Sequence, residues 1–303
     1  MKAPHLLEGV AVITGAASGF GLELTRLAAQ RRMRLALVDV QEAPLQALAQ
    51  QLRAEGLNVL ARCVDVSQEE AMNAWAQDVI QQFGAPHLVF NNAGVATGGL
   101  IWEATPQDWQ WVLGVNLMGV VHGVRLFTPV MLAAAQADAQ YRGHIVNTAS
   151  MAGLVNAPNM GVYNVSKHAV VSLSETLYHD LQLVTPAVQA HVLCPYFVPT
   201  GISNSHRNRP ASLRSHGVKP TASQAMAQVM SDKAVSSGKV SAAQVAQLVF
   251  DALDEGRFYI YSHPQALSGV QQRLHDVISG ARPSDPFAHR PELGERLREA
   301  LRR

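Results

Sequence analysis

Short apolar segments alternate with longer helical segments over the first two thirds of this 303-residue chain. The apolar segments are nearly continuous, which is typical of strands that are covered on both faces. We predict strands at Val10–Thr14, Leu35–Val38, Val59–Arg62, Leu88–Phe90, Ile145–Thr148 and Ala190–Leu193. Between them we predict helices over about 19–31, 42–55, 68–83, 106–135 and 161–184. This alternation favours an α/β fold with a single doubly wound parallel sheet flanked by helices.

The chain changes character after Pro195. Residues 200–240 are polar and rich in Ser, Asn, Arg and Gly, so we interpret them as a lid or a linker loop. A helix over about 241–254 and a seventh strand at 257–261 follow. We therefore expect one domain over residues 1–264, with the lid inserted in it, and a C-terminal helical extension or tail over 265–303.

Composition excludes several classes of protein. The 24 Lys and Arg residues nearly balance the 23 Asp and Glu residues, and this excludes a chain that coats nucleic acid. Two cysteines are too few for a disulfide framework, and the beginning of the chain does not have the pattern of a secretory signal. No segment approaches the roughly 18 uninterrupted apolar residues of a membrane span. We therefore expect a cytoplasmic protein with neither a nucleic-acid nor a membrane partner.

A glycine cluster follows the first predicted strand and begins a helix. Glycines at such a junction let the backbone turn tightly and approach a pyrophosphate, and the helix N-terminus supplies N–H groups. The spacing is G-x-x-x-G-x-G and differs from the general G-x-G-x-x-G pattern. We predict a dinucleotide site here, with cofactor contacts from Gly15, Ser18, Gly19, Phe20 and Gly21.

Asp39 ends the second predicted strand. An acidic residue at this distance from the glycines is placed to accept hydrogen bonds from the ribose hydroxyls. Its charge opposes the 2′-phosphate of NADP, and neither Ser18 nor Val40-Gln41 supplies a compensating cation. The pattern favours NAD, although Asp39 as a simple turn or cap residue is the alternative.

Three residues further along form a candidate catalytic set. Ser150 follows the fifth predicted strand, and Tyr163 and Lys167 lie one turn apart on the next helix. A nearby ammonium is expected to lower the pKa of a tyrosine and so make it a better base. Ser150 is placed to hydrogen-bond a substrate oxygen on which charge develops.

Taken together, these motifs resemble those of the short-chain dehydrogenase/reductase (SDR) family over about residues 7–262. Further segments carry the resemblance: Cys63-Val-Asp-Val-Ser67, Asn91-Asn-Ala-Gly94, Gly114-Val-Asn-Leu-Met-Gly119 and Pro195 through Thr200. The resemblance implies a Rossmann-type fold of about seven strands, NAD as cofactor and an oxidoreductase whose partner is a small-molecule alcohol or ketone substrate.

The resemblance also implies roles for single residues. Tyr163 would be the acid/base, Lys167 would hold the nicotinamide ribose, and Asn116 would kink its helix and hold a water in a proton relay to Lys167. The other implied cofactor contacts are Asp65, Val66, Asn92, Ala93, Gly94, Pro195, Val198 and Thr200.

Tyr196 departs from the family pattern, because relatives usually have glycine after Pro195. We expect an apolar substrate cleft, and the predicted substrate contacts are Ser150, Ala152, Met160, Tyr163, Tyr196 and Phe197. The alternative is that the two aromatic residues only pack the base of the loop. The twelve histidines show no metal-ligand spacing, so we predict no metal site.

The resulting hypothesis is NAD-dependent interconversion of a secondary alcohol and a ketone, on a bulky hydrophobic or alicyclic substrate. The alternatives are an NADP-dependent ketone reductase of the same family and a catalytically silent NAD-binding sensor. The resemblance also implies a homodimer or homotetramer that pairs through the helices at about 106–135 and 161–184. The C-terminal extension is expected either to contact another subunit or to close a partner's cleft.

Overall fold

The computed structural model describes residues 8–214, 219–288 and 290–302. Seven strands form one sheet in the order β3-β2-β1-β4-β5-β6-β7, and every neighbouring pair is parallel. This confirms the prediction of a doubly wound parallel sheet. The strands are β1 (Val10–Thr14), β2 (Arg34–Asp39), β3 (Val59–Cys63), β4 (Leu88–Asn91), β5 (Gly143–Thr148), β6 (Val188–Cys194) and β7 (Tyr259–Tyr261).

Helices cover both faces of the sheet. One face packs against α1, α2 and α8, and the other against α3, α5 and α6. The helices are α1 (Gly19–Gln30), α2 (Glu42–Ala54), α3 (Glu69–Phe83), α4 (Pro106–Leu113), α5 (Gly119–Ala137), α6 (Gly161–Val184), α7 (Ala222–Ser236), α8 (Ala242–Glu255), α9 (Leu267–Ser279) and α10 (Pro291–Leu301).

Strand β1 shows why the strands are apolar throughout. Ala11 and Ile13 face one hydrophobic core, whereas Val10 and Val12 face the other. All four side chains are fully buried, because successive residues of a strand point to opposite faces of the sheet. A strand between two helical layers therefore requires apolar residues at every position.

The long helix expected over 106–135 is interrupted by a π-helical turn at Gly114–Met118, between α4 and α5. Within the described residues, Pro106–Ala137 is the one segment whose length and hydropathy match a membrane span. It is partly buried against α3 and the sheet, as a helix of the α/β fold.

The lid is more ordered than the sequence predicted. Residues 200–240 contain two 3₁₀ segments, Gly201–Asn208 and Ala211–Leu213, as well as α7. The interpretation as a plain loop was wrong, because α7 has almost no apolar stripe to reveal it. Its one sequence signal is a capping box, in which Thr221 and Gln224 exchange hydrogen bonds.

The C-terminal segment after β7 is also helical. Helix α10 packs against the lid helix α7 of the same chain. The turn after α9 is fixed by Asp276, whose carboxylate accepts hydrogen bonds from Gln272 and from the backbone and hydroxyl of Ser284. The C-terminal segment therefore supports the lid of its own chain.

Two histidines meet inside the sheet between β5 and β6. His144 Nδ1 lies 3.0 Å from His191 Nε2, and His191 Nδ1 donates to the Arg257 carbonyl at 2.7 Å. Burial lowers the pKa of His191 from its ordinary 6.5 to about 4. The folded protein therefore holds His191 in its neutral form.

Stability is expected to fall as the pH drops from 6.5 towards 4. The unfolded chain takes up a proton at His191 in that range while the folded chain does not, which favours unfolding by up to roughly 3 kcal/mol. Urea unfolding at pH 7 and pH 4.5 measures this loss. His191→Gln should reduce it, whereas His179→Gln, at an exposed position, should leave it unchanged. An equal loss in both variants would contradict the assignment.

Candidate functional site

A large cleft runs along the carboxyl edge of the sheet. Nearly all the site residues predicted from sequence line it, from the glycine turn at one end to Tyr196 and Phe197 at the other. Two do not. Gly21 lies beneath the turn, and Asn116 is completely buried behind the cleft wall.

Backbone conformation and close packing explain the glycines of the turn. Gly15 and Gly19 have φ values of +65° and +54°, which a residue with a side chain rarely adopts. A Cβ at Gly15 would lie 2.9 Å from Ala93 Cα, and one at Gly21 would lie 2.0 Å from the Gly15 oxygen. The turn can therefore pass close to β4 only without side chains.

Thr14 joins the glycine turn to the loop after β4. Its hydroxyl accepts hydrogen bonds from the backbone N–H groups of Asn92 and Ala93 at 2.9 and 3.0 Å, and donates to Phe90. The Asn92 side chain donates to the Thr14 carbonyl at 3.0 Å. From the sequence, Thr14 was predicted only as the last residue of the first strand.

The N-terminus of α1 can receive an anion. Its N-cap residue, Ser18, makes no side-chain capping bond, so the first amides of the helix stay available at the cleft. A Cβ at Gly19 would touch Thr200 at 3.4 Å, which places Thr200 beside this turn. The absence of side chains leaves a cradle that fits the diphosphate of a dinucleotide.

Asp39 combines the two roles that sequence analysis treated as alternatives. Its carboxylate accepts hydrogen bonds from the amides of Ala17, in the glycine turn, and Gln41, at 3.0 and 2.9 Å. It is a turn residue, and it also lines the cleft with negative charge. Asp65 lines the cleft further along, and one of its oxygens is bonded by Ser67.

The candidate catalytic residues meet in the middle of the cleft. Tyr163 shares a hydrogen bond with Ser150, whose Oγ also accepts from the Ala152 amide at 3.1 Å. Lys167 Nζ donates to the Thr148 carbonyl at 2.8 Å and lies 5.8 Å from the centre of the Tyr163 ring. The expected placement of Tyr163 and Lys167 on one face of α6 is therefore observed.

The expectation that the pKa of Tyr163 is lowered was wrong. Burial raises the pKa of Tyr163, and the hydrogen bond with Ser150 only partly offsets that effect. Burial also lowers the pKa of Lys167 to about 8, so its ammonium is itself weakened as a stabilising charge. Desolvation is therefore the largest influence on the pKa values of both groups.

Asn116 lies in the π-helical turn, and its side chain joins this turn to Val95 and Ser166 by hydrogen bonds. Oδ1 accepts from the Val95 amide at 2.8 Å, and Nδ2 donates to the Val95 carbonyl and to Ser166. A Cβ at Gly94 would lie 3.5 Å from Asn116 Oδ1 and 3.6 Å from Lys167 Nζ. Glycine at this position thus keeps a space open between the two polar atoms.

Tyr196 adopts an ordinary backbone conformation. Its φ is not positive, and its amide donates to Ser262 Oγ at 2.9 Å. The ring is about half exposed and packs against Phe197 and His263. The side chain therefore both packs the base of the loop and lines the cleft.

The residues that fix the lid to the facing wall of the cleft were not predicted from the sequence. Ser205 Oγ accepts from the Ala96 amide at 2.9 Å, and Glu103 accepts hydrogen bonds from Thr221 and Ser223 at the start of α7. A further anchor is the ion pair of Arg209 with Asp108, at 2.6 Å and largely buried.

The family model described as "short chain dehydrogenase" matches residues 9–211, two thirds of the chain. This chain belongs to the short-chain dehydrogenase family. The SDR fold expected from the motifs is thereby confirmed, as is a Rossmann-type oxidoreductase of this family.

Similar proteins cover almost the whole length of this SDR chain. The "CLA biosynthesis dehydrogenase/reductase" of Lactiplantibacillus plantarum is 34% identical, with 91% of this chain and 95% of the relative covered. The "1-deoxy-11-beta-hydroxypentalenate dehydrogenase" of Streptomyces avermitilis is 30% identical, with 90% and 91% covered. A crystal structure of an SDR from Burkholderia phymatum in complex with NAD is 49% identical, with a TM-score of 0.89 and coverage of 93% and 99%.

Gly15→Ala is expected to weaken NAD binding by about tenfold or more, because a methyl group would collide with Ala93 and strain the turn. Gly56→Ala is the matched control, since Gly56 also has a positive φ but nothing lies near its Cβ position. Calorimetric titration of both variants with NAD measures the effect. Equal affinity in the two variants would rule out close approach at Gly15.

Proposed function

We propose that this SDR enzyme interconverts a secondary alcohol and a ketone with NAD, using Tyr163 as acid/base. The observation that carries the proposal is the cluster of Ser150, Tyr163 and Lys167. It lies in the same cleft as the glycine turn and the uncapped N-terminus of α1. A sensor that only binds NAD would not require these three side chains to meet. The intact set therefore favours an active enzyme.

The residues at the carboxyl edge fit a dinucleotide. The turn at Gly15–Gly21 would hold the diphosphate, Asp39 the adenosine ribose, Asp65 and Val66 the adenine, and Lys167 the nicotinamide ribose. The remaining proposed contacts are Asn92, Ala93, Gly94, Tyr163, Pro195, Val198 and Thr200. When bound, NAD supplies the nicotinamide carbon that accepts or donates the hydride.

The protein's own part in the reaction is proton transfer and positioning. Tyr163 takes the proton from the substrate hydroxyl during oxidation, or returns it during reduction. Ser150 positions the substrate oxygen by a hydrogen bond. Lys167 carries the proton onward, and the space at Gly94 lets a water connect Lys167 to Asn116. Binding a positively charged cofactor beside Tyr163 would oppose the effect of burial on its pKa.

Tyr163→Phe is expected to lower kcat by at least about a hundredfold while NAD binding is retained, because only the hydroxyl is removed. Tyr178→Phe, on an exposed position of the same helix, should keep wild-type turnover. Absorbance at 340 nm follows NADH formation, and titration follows NAD binding. Near-normal turnover by Tyr163→Phe would refute the proposed mechanism.

The preference for NAD over NADP rests on Asp39. Its carboxylate lines the cleft at the end of β2, where it would repel a 2′-phosphate. The adjacent Val40 and Gln41 offer no positive charge. The similar structure from Burkholderia phymatum contains NAD, and this supports the proposed preference.

The double variant Asp39→Ala/Val40→Arg is expected to shift the ratio of kcat/KM values for NADP and NAD by more than about tenfold towards NADP. It removes the repelling carboxylate and adds a cation. Val40→Arg alone is the control, because it retains the hydrogen bonds of Asp39 with Ala17 and Gln41. An unchanged ratio in the double variant would contradict the role of Asp39.

We propose a bulky hydrophobic or alicyclic substrate. Met151, Val155, Met160 and Phe197 give the cleft an apolar floor near Tyr163, with Ala152 beside them. One relative is named for a hydroxypentalenate, and another for CLA biosynthesis. A panel of aliphatic, aryl, alicyclic and steroid alcohols with NAD tests this choice.

We also propose a cytoplasmic homodimer or homotetramer. Helix α6 exposes Val165, Leu183 and Val184, which agrees with pairing through this helix and α5. We further propose that residues 1–264 form the catalytic domain and that the extension over 265–303 supports the lid through α10. Sedimentation velocity tests the oligomeric state. The same measurement together with kinetics on the chain without residues 280–303 tests the role of the extension.

A further inference from the structure

The lid carries a large share of the protein's positive charge. Residues 200–240 contain six Lys or Arg residues and a single Asp, although the net charge of the whole chain is only +1. All six cations line the cleft: Arg207, Arg209, Arg214, Lys219, Lys233 and Lys239. A cleft lined by one sign of charge attracts ligands of the opposite sign.

The acidic residues in the lid half of the cleft form hydrogen bonds or ion pairs with other groups, and among the described ones only Asp108 and Asp285 are neutralised by a cation. Glu103 accepts from Thr221 and Ser223, and Asp232 accepts from Gln228. The others are Asp108, paired with Arg209, Asp276, bonded by Gln272 and Ser284, and Asp285, paired with Arg298. In the part of the chain that the structure describes, the lid cations other than Arg209 have no ion-pair partner within 4.0 Å.

Two of the unpaired cations, Arg214 and Lys219, lie next to residues that anchor the lid. Arg214 donates to the Arg209 carbonyl at 3.0 Å, and Arg209 is held against α4 by Asp108. Lys219 lies two residues before Thr221, which is bonded to Glu103. Both cations are therefore on the part of the lid that is anchored to the wall opposite the glycine turn.

This part of the lid is also connected to the catalytic residues. Leu213, the neighbour of Arg214, packs against an apolar cluster that contains Trp111 and Val162. Val162 directly precedes Tyr163. Arg214 and Lys219 line the same cleft as Tyr163 and the apolar residues beside it, so a long substrate bound at Tyr163 shares that cleft with both cations.

We propose that the substrate is an amphipathic hydroxy acid or keto acid, whose carboxylate faces Arg214 and Lys219. The inference rests on the proposed alcohol oxidation and adds the chemical class of the substrate. An apolar floor alone would suit a neutral alcohol, but unpaired cations above it favour an anionic end group. The guanidinium of Arg214 matches the planar geometry of a carboxylate.

Lys239 offers a comparison within the same lid. It adjoins Val240, which packs against the apolar cluster shared with Ala17 and Phe20 of the glycine turn. A cation at that end is placed to affect the cofactor rather than the substrate. Changing Lys239 therefore separates attraction for the phosphates of the cofactor from attraction for a substrate carboxylate.

The test compares ricinoleic acid and lithocholic acid with their methyl esters, since each pair differs only in the charged group. Calorimetry measures binding to the enzyme–NADH complex, in which no oxidation occurs. We expect each acid to bind about tenfold more tightly than its ester at low salt, with the difference shrinking as ionic strength rises. In Arg214→Gln/Lys219→Gln the acid should lose this advantage, while ester and NADH affinities stay unchanged. Lys239→Gln should keep the preference for the acid.

Equal affinities of acid and ester in the wild-type protein would overturn the proposal, and so would a preference that survives Arg214→Gln/Lys219→Gln. Loss of NADH affinity in that variant, with the preference for the acid retained, would assign the two cations to the cofactor instead. Turnover of the same compounds with NAD is measured separately. Oxidation of the esters as fast as the acids would leave the proposed function standing while this inference fails.

Discussion

All seven strands run in the same direction, and this constraint places every functional residue. The carboxyl ends of parallel strands share one edge of the sheet, so residues far apart in sequence meet there. Thr14 at the end of β1, Asp39 at the end of β2 and Ser150 after β5 are brought to the same edge in this way. The crossover helices bury both faces of the sheet, which leaves that edge as the place where loops can form a cleft.

Burial at this edge also sets the chemistry. Lys167 and Tyr163 lie where water is largely excluded, so the charged forms of both side chains are disfavoured: the pKa of Tyr163 rises, and the pKa of Lys167 falls to about 8. A buried thiol, Cys194, lies close by, and its pKa rises to about 12 for the same reason, so it stays neutral. Burial therefore keeps Tyr163 and Cys194 protonated, whereas Lys167, with a pKa of about 8, can exchange its proton near neutral pH.

The parts that could be predicted from sequence depend on local patterns. Continuous apolar strands, the glycine turn and the spacing of Tyr163 and Lys167 each leave a signature within a few residues. The lid anchors have no such signature, because Glu103 and Thr221 lie 118 positions apart. The direction of the Tyr163 pKa shift could not be predicted from sequence either. It depends on how many side chains from different elements exclude water from the ring.

The charged residues of the lid and of the facing wall bear both on how the lid is anchored and on the proposed selection of an anionic substrate. The wall opposite the lid contributes Glu103 and Asp108, and both carboxylates are bound when the lid is in place. Arg209 neutralises Asp108, whereas Glu103 keeps its charge because only neutral hydroxyl groups bind it. Among the described residues, Arg214 and Lys219 form no ion pair with either carboxylate. The proposed recognition of a substrate carboxylate therefore depends on the excess of cations in the lid, which anchoring reduces by Arg209 alone.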